Sequence, residues 1–311
     1  MLSLPATAQT HETPSAQVCA TNRVVTAVQQ MCPLRGGSQP HLMLCSDGHY
    51  YVVKFRNNPQ GLRILVNEYI AGQLAKLLGL PCPETRVVDV REELIKLTPG
   101  LAIELRDGNV PVEPGLAFGS QYPSDPDGSG RRWLHRVRSD FTGLNYPLEN
   151  PSDFLGILVF DKWTCNTDHR QILFLPSKTT AGPRYRLIMI DNGFCFNGIN
   201  WNFPNSPILG LYHDWTVYRS VGDVRCFEDW LCKLEVKITG EELNKIVEGI
   251  PEPWLPGGTA PLVGLLQCLF MRKRIVSELI RDAFARIRGR SSQSYSYRRN
   301  GARAVSLGQG E

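Results

Sequence analysis

The chain has 311 residues, of which 42% are hydrophobic and 21% charged, with a net charge of +4. This is ordinary globular composition with ample material for a core, and no run of 18 apolar residues predicts a membrane-spanning helix. Nine cysteines stand singly, an odd number with no Cys-x-x-Cys pair, which argues against a disulfide framework or a zinc site and for a reducing, cytoplasmic setting.

Residues 1–21 lack a basic start followed by a sustained apolar stretch and are read as a disordered arm rather than a signal peptide. Residues 23–55 read as β-hairpins: 41–44 and 50–55 are strand-like, and Ser46-Asp47-Gly48 between them is turn chemistry. Gly36-Gly37-Ser38 precedes the first of these strands. Leu65, Tyr69, Ile70, Leu74, Leu77 and Leu78 recur at helical spacing, and Gly79 and Pro81 end that helix. A strand over 84–90, a short helix over 92–97 and a weak strand over 101–105 follow. Residues 107–150, rich in Gly, Pro, Ser and Asp, read as a domain boundary that is mobile without ligand.

The second half opens with a helix over 152–163, then a polar loop and strands over 172–175 and 185–190. Helical pattern returns over 223–249. Apolar residues from Leu262 to Ile287 mark a long amphipathic helix. After Gly289 the Ser/Arg/Tyr mixture reads as a disordered basic tail over 290–311. From Arg272 to Arg303 there are ten Lys/Arg against two acids, leaving the rest of the chain at −4. Such an end can attract nucleic acid or phospholipid, but a solvated helix face is the preferred reading. No helix-turn-helix signal stands out, so nucleic acid is not an expected partner.

Four polar positions carry the chemistry. Lys54 closes the strand Tyr51-Val52-Val53-Lys54-Phe55; alternation turns it away from Val53 and Phe55, where it can neutralise phosphates or simply face solvent. Glu68 on the next helix supplies a counter-charge. Asp168, in the polar loop Asn166-Thr167-Asp168-His169-Arg170-Gln171, can accept or orient the proton of an attacking hydroxyl. The alternative there is a plain Asn/Asp turn with His169 and Arg170 on the surface. Asp191 ends an apolar strand and is followed by Asn192-Gly193. A carboxylate so placed can hold Mg²⁺ against phosphate oxygens; the alternative is a hairpin turn.

The order Lys54, Glu68, Asp168 and, 23 residues on, Asp191 goes with YVVKF (51–55), NEYIAGQLAKLLGLPCPE (67–84), FGSQYP (118–123), FDKWTCNTDHRQ (160–171) and IMIDNGFCF (188–196). With these segments the sequence resembles the HipA-like kinases, a family related in fold to protein kinases and to phosphoinositide 3- and 4-kinases. The resemblance covers residues 22–285. It implies an α+β, bilobed protein-kinase-like fold: a β-rich, nucleotide-binding N-lobe with one helix over 22–120, a flexible connection over 121–150, and a mainly helical C-lobe over 151–289.

The resemblance also implies an ATP- and Mg²⁺-dependent kinase, with a protein Ser/Thr hydroxyl as acceptor and an antitoxin-like protein as a partner. In it Lys54 contacts ATP phosphates with Glu68 as its helix partner, Asp168 is the catalytic-loop aspartate, and Asp191 binds the metal. Where the family places an asparagine as second metal ligand, this chain has Leu173, and Gln171 is the nearer polar residue. That departure keeps open a second reading, a pseudokinase or nucleotide-binding interaction module.

Overall fold

The computed structural model describes residues 24–123 and 136–305, the side chains of 178 and 290–305 excepted. The fold is mixed α/β. Its first half runs β1 (Val24–Pro33), β2 (His41–Cys45), β3 (Tyr50–Lys54), α1 (Arg63–Leu78), β4 (Thr85–Val90), α2 (Glu92–Leu97), β5 (Ala102–Leu105), β6 (Gly108–Pro111) and β7 (Gly115–Gln121). Five of these strands close a barrel in the order β1-β2-β3-β7-β4. β1 pairs parallel with β4, and the other neighbours pair antiparallel. β5 and β6 form a separate hairpin.

The barrel fills itself by strand alternation. Tyr51 and Val53 of β3 point inward with Met43, Val88 and Val90, and Phe55 joins them. Val52 and Lys54 are thereby turned to the other side of the strand.

The reading of residues 107–150 as a mobile boundary is corrected over its first part. β6 and β7 lie within it, and β7 sits between β3 and β4. Its sequence, GLAFGSQ, hides a wall strand because close packing at one central position requires glycine. A Cβ at Gly119 would stand 2.5 Å from Val88 Cγ2 and 3.4 Å from Tyr51 Cδ1. Gly119→Ala is therefore expected to destabilise the fold by about 1–3 kcal/mol through overpacking. Urea unfolding measures this; a variant as stable as the parent would show that the wall yields. Residues 124–135 of the stretch, and the arm over 1–21, lie outside the described residues.

The second half contains α3 (Asp153–Thr164), the hairpin β8 (Gln171–Thr179) and β9 (Gly182–Ile190), α4 (Glu228–Lys237), α5 (Gly240–Glu248) and α6 (Ala260–Val305). α6 continues past Gly289, where the sequence reading placed a disordered tail. A single helical glycine costs only about 1 kcal/mol, and the Arg and Ser residues that follow tolerate helix. Residues 306–311 lie outside the described residues.

α1 joins the halves. Twelve of its residues are buried, including Asn67 and Glu68, so it is covered on nearly every face rather than along one stripe. It packs on β4 and β7, and also on α4, α5 and the turn Cys195–Asn200. Gly79, at φ +75°, ends it in the left-handed conformation that glycine takes without strain. Leu65, Tyr69, Ile70 and Leu74 enter one core with Phe160 and Trp163 of α3, Leu187 of β9 and Leu269 of α6. Trp254 stacks edge-on against Tyr69 at 6.2 Å, and its indole N–H donates to Leu116 O at 2.7 Å. Trp163 makes the matching tie between α3 and α6, donating to Leu269 O at 2.9 Å.

Candidate active site

Three separate elements meet at the Lys54 ammonium. β3 delivers Lys54 to the side away from the barrel core, α1 delivers Glu68, and the end of β9 delivers Asp191. Lys54 Nζ lies 2.5 Å from Glu68 Oε1 and 2.9 Å from Asp191 Oδ1. Lys54 and Glu68 are both buried. Burial alone lowers a lysine's pKa, but here the two carboxylates outweigh it and hold Lys54 above its ordinary value. Burial likewise works to raise the Asp191 carboxyl, yet the neighbouring ammonium outweighs it and brings Asp191 down to about 2. The lysine and Asp191 are thus charged throughout the physiological range.

The loop that carries Asp191 is not a hairpin turn. β8 and β9 join at Thr179 and Gly182, their other end, while Asp191-Asn192-Gly193 leads into the turn Cys195–Asn200. Asp191 sits at φ +59°, a left-handed conformation that aspartate tolerates better than most residues. The following loop lies against α1. Asn192 N–H donates to Glu68 Oε2 at 3.0 Å, and Asn67 Nδ2 donates to Gly193 O at 2.7 Å and Gly198 O at 2.9 Å. A Cβ at Gly193 would stand 2.9 Å from Ile64 Cγ2, so glycine is what permits the approach.

A cavity of about 400 Å³ opens beside this cluster. Lys54, Glu68, Asp168, Gln171 and Asp191 all line it, so the structure brings every candidate residue to one place. Val52, Phe118, Leu173 and Ile190 are among its apolar lining, and Gly36-Gly37-Ser38 borders it. That loop is a turn, with Gln39 N–H donating to Gly36 O at 3.0 Å, and Gly36 takes φ +148°. It is at once an ordinary turn and a loop at the cavity edge.

Asp168 also lines a second cavity, of about 920 Å³, with His169, Leu209, His213, Trp215 and Arg286. Asp168 is exposed, and its Oδ1 accepts the His169 N–H at 2.7 Å, so it is both a turn residue and the residue common to the two cavities.

Gln171 and Leu173 stand two apart on β8 and line the same cavity. Gln171 Nε2 donates to Asp191 Oδ2 at 3.0 Å. To ligate a cation through its oxygen, the Gln171 amide must first turn over. No group of three His, Cys, Asp or Glu side chains suited to a metal occurs among the described residues. The single carboxylate of Asp191 would leave a cation to be completed by phosphate oxygens and water, which is how Mg²⁺ is ordinarily held; the donor set fits Mg²⁺ arriving with a nucleotide.

Sequence reading missed the buried polar residues beneath these loops. Arg170, read as a surface residue, is 1% exposed and is paired with the fully buried Asp161. The available signal was a lone acid, Asp161, inside the apolar helix segment Gly156-Ile157-Leu158-Val159-Phe160 and Trp163. A charge there requires a partner.

No curated protein matches the chain. Among solved structures, a Helicobacter pylori proinflammatory kinase, CtkA, is 13% identical, covering 85% of this chain and 96% of its own, with a TM-score of 0.46. The Golgi casein kinase is 11% identical, covering 86% and 74%, with a TM-score of 0.43. The same kinase with Mn/ADP bound is 12% identical, covering 84% and 72%, with a TM-score of 0.39. The HipA-like kinase family matches residues 25–173, from β1 into β8. That stretch, which holds Lys54, Glu68, Asp168 and Gln171, is similar to the HipA-like kinases.

Proposed function

We propose that the chain is an ATP-dependent kinase of bilobed architecture, transferring the γ-phosphate of ATP to a protein Ser/Thr hydroxyl in the cytoplasm. The observation that carries this is the Lys54 ammonium held between Glu68 and Asp191, from three elements, at a cavity that Asp168 shares. In this reading the barrel half is the nucleotide-binding lobe. The base lies against Val52, Phe118 and Leu173, and the phosphates reach Lys54 and the Gly36-Gly37-Ser38 loop. Asp191 would hold Mg²⁺, with Gln171 as auxiliary ligand; when bound, the cation would supply neutralisation of charge on the phosphate oxygens. Asp168 orients the acceptor hydroxyl and takes its proton. The acceptor approaches through the larger cavity, because Asp168 is the residue common to both. Catalysis of this kind is mainly positioning and charge neutralisation.

The test is incubation of the purified protein with γ-labelled ATP and Mg²⁺, followed by detection of phosphoprotein. Asp168→Ala is expected to lower labelling by roughly 100-fold or more, within the range for loss of a positioned proton acceptor. Equal labelling of parent and Asp168→Ala removes Asp168 from the mechanism.

A second reading is favoured by Leu173, an apolar side chain facing the cavity where the family carries a metal-binding asparagine. It makes the chain a nucleotide-binding module acting through partners. Tight ATP binding without transfer to any acceptor, itself included, selects this reading. In either case Gln171→Ala is expected to weaken Mg·ATP binding by only about tenfold or less, the scale of one neutral polar interaction. Calorimetric titration measures it, and a larger loss would make Gln171 a principal ligand.

A further inference from the structure

We propose that Asp161 is a positioning residue that holds both aspartates of the site, Asp168 through Asn166 and Asp191 through Arg170. The proposal rests on the kinase reading for what is being positioned, and on geometry for how. Asp161 is fully buried on α3 and lines neither cavity, so it touches no substrate. Its carboxylate accepts three hydrogen bonds. Asn166 Nδ2 donates to Oδ1 at 3.1 Å, Arg170 Nε donates to Oδ2 at 2.9 Å, and the second Arg170 nitrogen, Nη2, closes the fork on Oδ1. Fork-to-carboxylate pairing of this kind fixes direction as well as distance.

Each partner then passes the constraint on. The other end of the Asn166 amide, Oδ1, accepts the Asp168 N–H at 3.2 Å. The remaining Arg170 nitrogen, Nη1, donates to Ile190 O at 2.9 Å, Asp191 O at 3.3 Å and Asn192 Oδ1 at 3.0 Å. One carboxylate therefore anchors the backbone of the polar loop and the backbone of the loop after β9. Asp161 also accepts the Asn166 N–H on its own carbonyl at 3.0 Å, which closes α3 where Cys165 turns left-handed at φ +53°.

The anchor is sealed. Gly210, at φ +74°, packs so closely that a Cβ there would stand 2.5 Å from Asp161 Cβ. With water excluded, each of these hydrogen bonds is stronger and the loss of any one is costlier.

The two arms predict separable losses, on the 10- to 100-fold scale of supporting-residue changes. Asn166→Ala cuts only the Asp168 arm, so kcat falls about tenfold while Mg·ATP affinity stays within about twofold. Arg170→Lys loses the fork and cuts the Asp191 arm, so Mg·ATP affinity falls about tenfold while affinity for ATP without Mg²⁺ stays within about twofold. Asp161→Asn shows both losses. Where that variant does not fold by circular dichroism, Asp161→Leu/Arg170→Leu, which buries no lone charge, replaces it with the same expectation.

Hydrogen exchange on the nucleotide-free protein gives a readout without activity. Asp161→Asn, or the double variant, accelerates exchange over 166–171 and 190–194 together and leaves the barrel strands protected. Exchange unchanged in either segment, or accelerated throughout the chain, overturns the inference. So does a folded Asp161 variant with the parent's kcat and Mg·ATP affinity. A parent protein that transfers no phosphate overturns the kinase reading instead, and the exchange experiment still decides the bracing.

Discussion

Asp191→Asn is expected to bind Mg·ATP roughly 100-fold more weakly than the parent, with phosphotransfer falling at least as far. The estimate is the usual cost of removing one preorganised electrostatic contact. Asparagine keeps the shape of the side chain and can still meet Gln171, so the change isolates charge. It also removes one of the two carboxylates around Lys54. Affinity for ATP without Mg²⁺ should therefore hold or rise, because the phosphates lose a negative neighbour. Calorimetric titration with and without Mg²⁺ separates the two effects. Parent-like Mg·ATP affinity in Asp191→Asn would leave Asp191 a structural residue.

Lys54→Met carries the second large effect, and it should appear in stability as well as in binding. Glu68 is buried and bonded to Lys54. Removing one partner of a buried pair leaves the other charge uncompensated, at about 3–5 kcal/mol. Lys54→Met/Glu68→Met removes both charges and is expected to recover most of that loss, because replacing a buried pair with apolar side chains of similar size is often neutral. Neither variant should bind ATP as the parent does. Urea denaturation with ATP titration checks the set: a double variant no more stable than the single would show that Glu68 is held by its Asn192 contact rather than by the lysine. Recovered stability with retained ATP affinity would remove Lys54 from phosphate binding.

The parts of this site that rest on local pattern were legible in the sequence. Strand alternation put Lys54 opposite Val53 and Phe55, helical spacing put Glu68 on α1, and an apolar run placed Asp191 at a strand end. Residues whose roles depend on distant neighbours were not legible. β7 carries Gly119 at its centre because Val88 and Tyr51 press against that position, and that glycine, which helps the segment read as a loop, is set by those distant neighbours. Arg170 reads as a surface residue until α3 is seen to bring Asp161 beneath it. The Asp191-Asn192-Gly193 turn was ambiguous because hairpin turns share its chemistry, and the register of β8 with β9 removes the ambiguity.

The enclosure of α1 restricts how this protein can be switched off. Kinases can be silenced by withdrawing the helix that carries the lysine's glutamate partner. Here that helix is wedged between the barrel and the second half, and Asn67, one residue before Glu68, is bonded to the loop after Asp191 and to the Trp201 indole at 2.8 Å. Swinging α1 outward would pull apart the Lys54–Glu68 pair and the loop after Asp191 together, and would open the shared core. A graded, reversible swing of α1 is therefore not available as a control. Under the kinase reading, restraint then falls to whatever covers the cavities or competes for their contents.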